Sequence, residues 1–333
     1  MSAPEEPSWW DSIPRLEFRW GHRFFPAWTT MGRLGALAGI ALFGYLGVKL
    51  QLPTPVIVLV VAANVASFLA WRFVGRRWRR GRYILLEHAA LAAATTVGAS
   101  ALFLVPARIV LGAWAPAMAL TIAFGRLGCL FHGCCHGQPS LWGPRYRWLW
   151  PAVTGGRWAG VRYLPTQLIE GAVLAALAVA GSALALGNPG TAAATIPVAY
   201  AVARFELERW RGDDRAYYGP LSHSQWLSVG VLVVVATTGA TAIGLAGIGA
   251  TSLLFILRLR RLVPPPFISA PAGLEMLERA ANEALAGRQA FAGAVAFIPK
   301  GPDGPDGVHV RVAPGHSALS RAAAAALTRV LNP

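Results

Sequence analysis

Apolar residues in this chain run on in long uninterrupted stretches instead of alternating with polar ones. Leu50 to Trp71, Ala89 to Ala107, Gly171 to Ala203 and Ala216 to Leu257 contain no Asp, Glu, Lys or Arg. Such runs are too long for soluble cores, whereas a bilayer crossing needs about 20 apolar residues. The pattern predicts seven membrane helices, near Gly32 to Gln51, Pro55 to Arg72, Ile84 to Val105, Arg108 to Gly125, Gln167 to Leu186, Gly190 to Trp210 and Ser224 to about Gly247. Leu52-Pro53-Thr54-Pro55, Val105-Pro106 and Gly187-Asn188-Pro189-Gly190 supply the breaks between them. The uncharged run continues to Leu257, as one long tilted helix or as a tight pair that makes the count eight.

The expected fold is an all-α polytopic membrane protein of about seven transmembrane helices with a small C-terminal soluble α/β domain. Residues 1–30 hold acids and four tryptophans and do not read as a cleavable signal peptide, so they form an N-terminal interfacial segment. Residues 31–257 form the membrane domain, 258–266 a basic, proline-bearing linker, and 267–333 the small soluble domain. In that last part Glu275, Glu278, Asn282 and Glu283 follow a helix-like pattern, Val308 to Val312 alternate like a strand, and Ala322 to Ala326 favour helix.

Composition agrees with membrane residence. Hydrophobic residues make up 55% and charged ones 14% of the 333, against roughly 25% charged in soluble domains. A purely soluble enzyme is excluded. The 30 Lys and Arg outweigh 15 Asp and Glu, for a net charge of +15. No zinc finger, helix-turn-helix or basic arm accompanies this charge, so anionic phospholipid, and not nucleic acid, is the expected partner.

Chemistry concentrates in three places. The string Gly125-Arg126-Leu127-Gly128-Cys129-Leu130-Phe131-His132-Gly133-Cys134-Cys135-His136-Gly137 opens the long segment from Arg126 to Pro165. An arginine at the end of a span snorkels to the interface or holds an anion, and the glycines allow the backbone to wrap tightly and aim N–H groups at a phosphate or oxyanion. On the sixth predicted span Tyr200, Arg204 and Glu208 share one face at i,i+4 spacing. On the third, Glu87 and His88 interrupt an apolar run, where ionisable groups are expensive and therefore functional candidates.

These pieces together resemble the prolipoprotein diacylglyceryl transferase family. Gly125-Arg126-Leu127-Gly128 with Gly133 is similar to its signature; Pro165-Thr166-Gln167-Leu168 with Glu170 to its Pro-Ser-Gln-Leu-Tyr-Glu segment; Tyr200, Arg204, Phe205, Glu208 and Arg211 to its Tyr-x-x-x-Arg-Phe-x-x-Glu-x-x-Arg run. Leu221-Ser222 with Gln225 and Ser228 resembles the stretch that follows, and His88-Ala89-Ala90-Leu91 stands where the family has His-Gly-Gly-Leu. The resemblance covers about residues 15 to 257. It implies a multi-pass enzyme of the bacterial plasma (inner) membrane that moves diacylglyceryl from phosphatidylglycerol to the lipobox cysteine of a preprolipoprotein signal peptide, with no cofactor. By the same resemblance Arg126 and Arg204 clamp the leaving phosphate, Glu208 and Tyr200 hold Arg204, and His88 is the base that frees the thiolate. Gly128, Gly133, Gln167 and Arg211 complete the substrate site.

The chain also departs from the family. The signature's asparagine is Cys129 here and its glutamate Cys134, the glycines after His88 are alanines, and the first span offers Trp28, Thr29 and Thr30 in place of a Tyr-Gly pair. This marks a divergent, cysteine-bearing branch. Two other classes of function stay open: a thiol, redox or metal protein using Cys129, Cys134 and Cys135 with His132 and His136, and a phospholipid-binding relative without transfer. Sidedness is open too. The family orientation puts the amino terminus and the signature outside, along with Arg72, Arg76, Arg77, Arg79, Arg80 and Arg82, whereas the positive-inside rule puts these arginines inside.

Overall fold

The computed structural model describes residues 8–78, 85–137, 140, 142–146, 163–211, 217–218 and 221–261, and in the tail 279–280, 282–284, 286, 290–292, 295–299 and 308–312. A 3-10 turn, Trp9–Ser12, capped by Ser8, leads into a hairpin of β1 (Glu17–Trp20) and β2 (Arg23–Pro26). Eight helices follow among the described residues: α1 (Ala27–Lys49), α2 (Thr54–Trp78), α3 (Leu85–Leu102), α4 (Ala107–His132), α5 (Thr166–Gly187), α6 (Pro189–Leu207), α7 (His223–Thr237) and α8 (Thr241–Arg261). Short strands β3 (Tyr217–Tyr218) and β4 (Leu221–Ser222) pair just before α7.

Of these, α1, α2 over Thr54–Trp71, α4 and α5 are long and apolar enough to cross a membrane, while His223–Thr237 and Thr241–Ile256 are apolar but shorter. Many large apolar side chains on the helices face outward, including Val58, Leu69, Leu102 and Val179, while Arg126, Glu170, Arg204 and Glu208 are buried. Apolar outside and charged inside is the arrangement that lipid, not water, requires. The chain is a membrane protein with a mostly helical fold.

Two expectations need correction. The last predicted span is not one helix, because Gly239 adopts φ +92° and the chain reverses between α7 and α8. Thr237 and Thr238 hydroxyls donate to the Val233 and Val234 carbonyls, so these polar side chains bond back onto the last turn of α7. Gly244 then lies against Ala236 and Gly247 against Leu232, so the two helices pair antiparallel. The fourth span, in turn, runs past Gly125 to His132, which places Arg126 to His132 in helix instead of a wrapped loop. Leu127, Leu130 and Phe131 maintain helix-forming apolar character there, and the backbone amides are spent within the helix, leaving none of that stretch to cradle an anion.

Helix α4 is the centre of the bundle and packs on α1, α3, α5 and α6. Small residues let the backbones approach. A Cβ on Gly35 would come within 2.7 Å of the Thr121 carbonyl oxygen and of Phe124 Cβ, and one on Gly39 would collide with the Thr121 hydroxyl. Polar bonds add a second tie: Asn64 of α2 donates to Thr96 of α3 at 3.0 Å and accepts from Trp114 Nε1 of α4 at 2.9 Å. Because α4 and α6 end, and α3, α5 and α7 begin, at the same end of the bundle, the motifs near residues 88, 126, 167, 204 and 224 are gathered there.

The tail contains a three-stranded antiparallel sheet of β5 (Ala290–Ala292), β6 (Val295–Pro299) and β7 (Val308–Val312). The expected strand at Val308 to Val312 is thus present, whereas the first residues of the expected linker, Arg258 to Arg261, continue α8. Glu275, Glu278, Pro264 to Pro266 and Ala322 to Ala326 lie outside the described residues.

The α1–α4 contact yields a direct test. Gly35→Leu should cost about 1–3 kcal/mol of unfolding free energy in detergent, by overpacking, whereas Gly44→Leu, which meets nothing within 4 Å, should leave the unfolding midpoint unchanged.

Candidate active site

Glu170 is the hub. It sits one turn into α5, 1% exposed. Its Oε1 takes Arg126 Nη2 from α4 at 2.9 Å and the Tyr200 hydroxyl from α6 at 2.7 Å, with Arg204 Nε at 3.7 Å; its Oε2 faces Arg211 Nη1 at 3.6 Å. Arg204 Nη1 meets Glu208 Oε2 at 2.6 Å, the i,i+4 pair expected from the spacing, and Arg204 Nη2 donates to Ser224 of α7 at 3.2 Å. Four helices and the residues after α6 therefore converge on two carboxylates. Removing charges this deep from water costs several kcal/mol each unless partners replace the hydration, and here partners surround every one of them.

The count of charges is uneven. Arg126, Arg204 and Arg211 face Glu170 and Glu208, which leaves one positive charge in excess in this group of five. Arg126 Nε is buried and has no hydrogen-bond partner among the described residues. A guanidinium fork with spare donors and surplus charge is suited to phosphate oxygens.

The elements around the hub are tied to it through backbone atoms. Gln167 Nε2 donates to the Cys134 carbonyl at 2.9 Å and Thr166 Oγ1 to that of Cys135 at 3.2 Å, so the start of α5 fixes the turn after α4. Ser222 and Gln225 cap α7 reciprocally, and Gln225 Nε2 also reaches the Phe205 carbonyl at 3.3 Å. Gly137 bridges to Arg211, holding that arginine's backbone beside the signature.

The expected residues divide into two groups. Arg126, Arg204, Glu208, Tyr200 and Arg211 come together, with Gln167 one turn from Glu170. Tyr200, expected to hold Arg204, instead donates to Glu170. Gly128 packs against Trp28 and Met31 of α1, and Gly133 takes φ +88° to end α4 with Tyr146 over it, so both glycines serve close packing. His88 lies at the same end of the bundle, its ring 5.4 Å from that of Phe68 on α2, and its neighbour Glu87 reaches His223 Nε2 at 3.0 Å. In the sequence Glu170 stands only as one position of the Pro165 to Glu170 motif. The available signal was its position as the one acid of an apolar helix, by the same argument that singled out Glu87.

Cys129, Cys134 and Cys135 form a second cluster, with all three Sγ atoms within 4.8 Å of one another. Cys135 adopts φ +61°, uncommon for a residue with a side chain, which folds the turn back over the end of α4. Thiol hydrogen bonds from Cys129 and Cys134 hold the Cys135 thiol well below its ordinary pKa, with Arg211 and Arg126 adding to the effect. Hydrogen bonds with Cys129 and Cys135, and burial, push Cys134 the other way. His136, expected beside the cysteines, instead packs at a tilt against Tyr163 with ring centroids 4.1 Å apart, its Nδ1 2.8 Å from the Gly137 carbonyl oxygen. Burial raises the hydroxyls of Tyr146 and Tyr163 well above their ordinary range.

Glu170→Ala would remove the carboxylate that Arg126, Arg204 and Arg211 share, and should lower unfolding free energy by about 3–5 kcal/mol. Tyr200→Phe removes one bond to a charged acceptor and should cost about 1.5–3 kcal/mol. Thermal unfolding in detergent checks both; an Ala variant as stable as wild type contradicts the hub.

Comparison with known proteins agrees with the motifs. The family model of prolipoprotein diacylglyceryl transferase matches residues 88–241. A phosphatidylglycerol-prolipoprotein diacylglyceryl transferase 2 of Clostridium perfringens (strain 13 / Type A) is 34% identical over 122 residues, which is 35% of this chain. The match spans 46% of that relative's length, so the chain covers about half of it. The segment from His88 to Thr241, which holds the arginine–glutamate hub and the cysteine turn, is the part of the chain that matches the prolipoprotein diacylglyceryl transferase family model.

Proposed function

We propose that the protein transfers diacylglyceryl from phosphatidylglycerol to the cysteine thiol of a preprolipoprotein signal peptide, in the inner membrane of a bacterium. The observation that carries this reading is the buried group of Arg126, Arg204 and Arg211 with one positive charge beyond its two carboxylates. An anionic headgroup at this depth would meet this cationic group and the spare buried Nε donor of Arg126. Substrate and acceptor are taken from the family, and the geometry supports the phosphate half of the assignment.

In this reading the headgroup phosphate lies against Arg126 and Arg204. The acceptor thiol gives its proton to a base, His88 in the family pattern, and the thiolate attacks the glyceryl carbon that bears the phosphate ester. A C–S bond forms, the C–O bond to phosphate breaks, and glycerol phosphate departs with its charge held by the guanidiniums. Glu170 and Tyr200 touch none of the reacting atoms; they position Arg126, Arg204 and Arg211. Glu208 fixes the rotamer of Arg204 through an i,i+4 pair from the turn that follows α6.

Purified protein incubated with phosphatidylglycerol and a lipobox peptide should give a thioether-linked diacylglyceryl peptide by mass spectrometry. Arg126→Ala and Arg204→Ala should each slow its formation by about 100-fold or more. Absence of the adduct from folded protein, or arginine variants that match wild type, contradicts the reading.

A further inference from the structure

We infer that Cys129, Cys134 and Cys135 form a three-thiolate binding site for zinc, with the fourth tetrahedral position open to the thiol of an acceptor cysteine. The chain has three cysteines in all, and every one of them is in this cluster. Zinc–sulfur bonds of about 2.3 Å place tetrahedral ligands about 3.8 Å apart, and the three Sγ atoms already lie within 4.8 Å of one another. Closing on an ion requires side-chain shifts of about 1 Å or less.

Adjacent cysteines rarely share one tetrahedral ion, because extended or helical backbone points their side chains apart. This turn removes that obstacle. Gly133 at φ +88° and Cys135 at φ +61° reverse the chain after α4, bringing Cys134 and Cys135 back to Cys129 of the last helical turns. A non-glycine residue held in the left-handed region marks a site where surrounding structure over-determines the backbone. The turn is pinned independently, by Gln167 and Thr166 on the carbonyls of Cys134 and Cys135.

The surroundings suit an anionic metal–thiolate group. Arg126 is one turn before Cys129 on α4, and its buried Nε has no hydrogen-bond partner among the described residues. Arg211, joined to Gly137 by a backbone bridge, lies on the other side of the turn.

Three protein ligands and one open position is the layout of a catalytic, not a structural, zinc site. Metal binding stands by itself; assigning the fourth position to an acceptor cysteine rests on the transferase reading. On coordination the acceptor's S–H bond breaks, its proton passes to the base, and a Zn–S bond forms. During transfer that sulfur forms the C–S bond as the C–O bond to phosphate breaks, and the Zn–S bond breaks as the neutral thioether leaves and reopens the fourth position. Zinc changes no oxidation state, so no electron donor or acceptor is needed.

The experiment uses the full chain in detergent, reduced and loaded with zinc or with cobalt as a coloured substitute. Elemental analysis should give one zinc per chain, and binding should weaken at least ten-fold in Cys129→Ser and Cys135→Ser. Wild-type protein provides the control against misfolded variants: zinc should protect three thiols from N-ethylmaleimide, counted by intact mass, and chelation should expose them. The cobalt form should show a thiolate-to-metal charge-transfer band that strengthens with a lipobox peptide and not with its Cys→Ser counterpart. Three thiols that alkylate equally with and without zinc overturn the site, as does a chain isolated as a disulfide that takes up no metal. A cobalt spectrum indifferent to the cysteine peptide overturns the fourth-ligand assignment. Zinc bound by all three thiols without any diacylglyceryl transfer sinks the transferase reading and leaves the site standing, whereas full-rate transfer by metal-free protein leaves the transferase reading standing and overturns the fourth-ligand assignment.

Discussion

A carboxylate inside an apolar bundle cannot be left alone, and Glu170 is never alone. With almost no water contact, it recruits Arg126, Arg204, Arg211 and Tyr200 from three other parts of the chain. In lipid there is no hydrophobic pull between helices, so close packing of small residues and polar ties of this kind set which helices meet. The α4–α5–α6 contacts follow from that, and the same interactions gather three guanidiniums at one end of the bundle. Stability and the candidate site are therefore two consequences of one arrangement.

That arrangement also explains why the site is cationic. Each arginine is held in place by a carboxylate, which prevents the long side chain from snorkelling to the interface. Two acids restrain three bases within this group, and the buried Nε donor of Arg126 is spare. The cysteine turn is joined to the same framework, because the start of α5 that carries Glu170 also carries Thr166 and Gln167, which bond the Cys134 and Cys135 carbonyls.

Much of this was legible in the sequence. Uninterrupted apolar runs located the helices, and the i,i+4 spacing of Arg204 and Glu208 predicted their pair, because both rest on local geometry. Motif order along the chain marks the same segment, residues 88–241, that the family model matches. The break at Gly239 was harder to place, since an uncharged run reads alike whether straight or folded back. The helical state of Arg126 to His132 was missed because four glycines suggest a loop, while in lipid a glycine is often a site of helix contact, as Gly128 is with α1. Glu170 was undervalued for another reason: its partners are 44, 34 and 41 residues away along the chain, at Arg126, Arg204 and Arg211, and no local pattern reveals pairings at such separations.

The central claim, that Glu170 and the arginines act as one interacting unit, is tested most directly by a double-mutant cycle on Arg126→Gln and Glu170→Gln, with unfolding free energy in detergent as the readout. Two groups in contact at 2.9 Å should show a coupling of about 1–3 kcal/mol, the double variant being less damaged than the sum of the single ones. Additive losses would contradict the account.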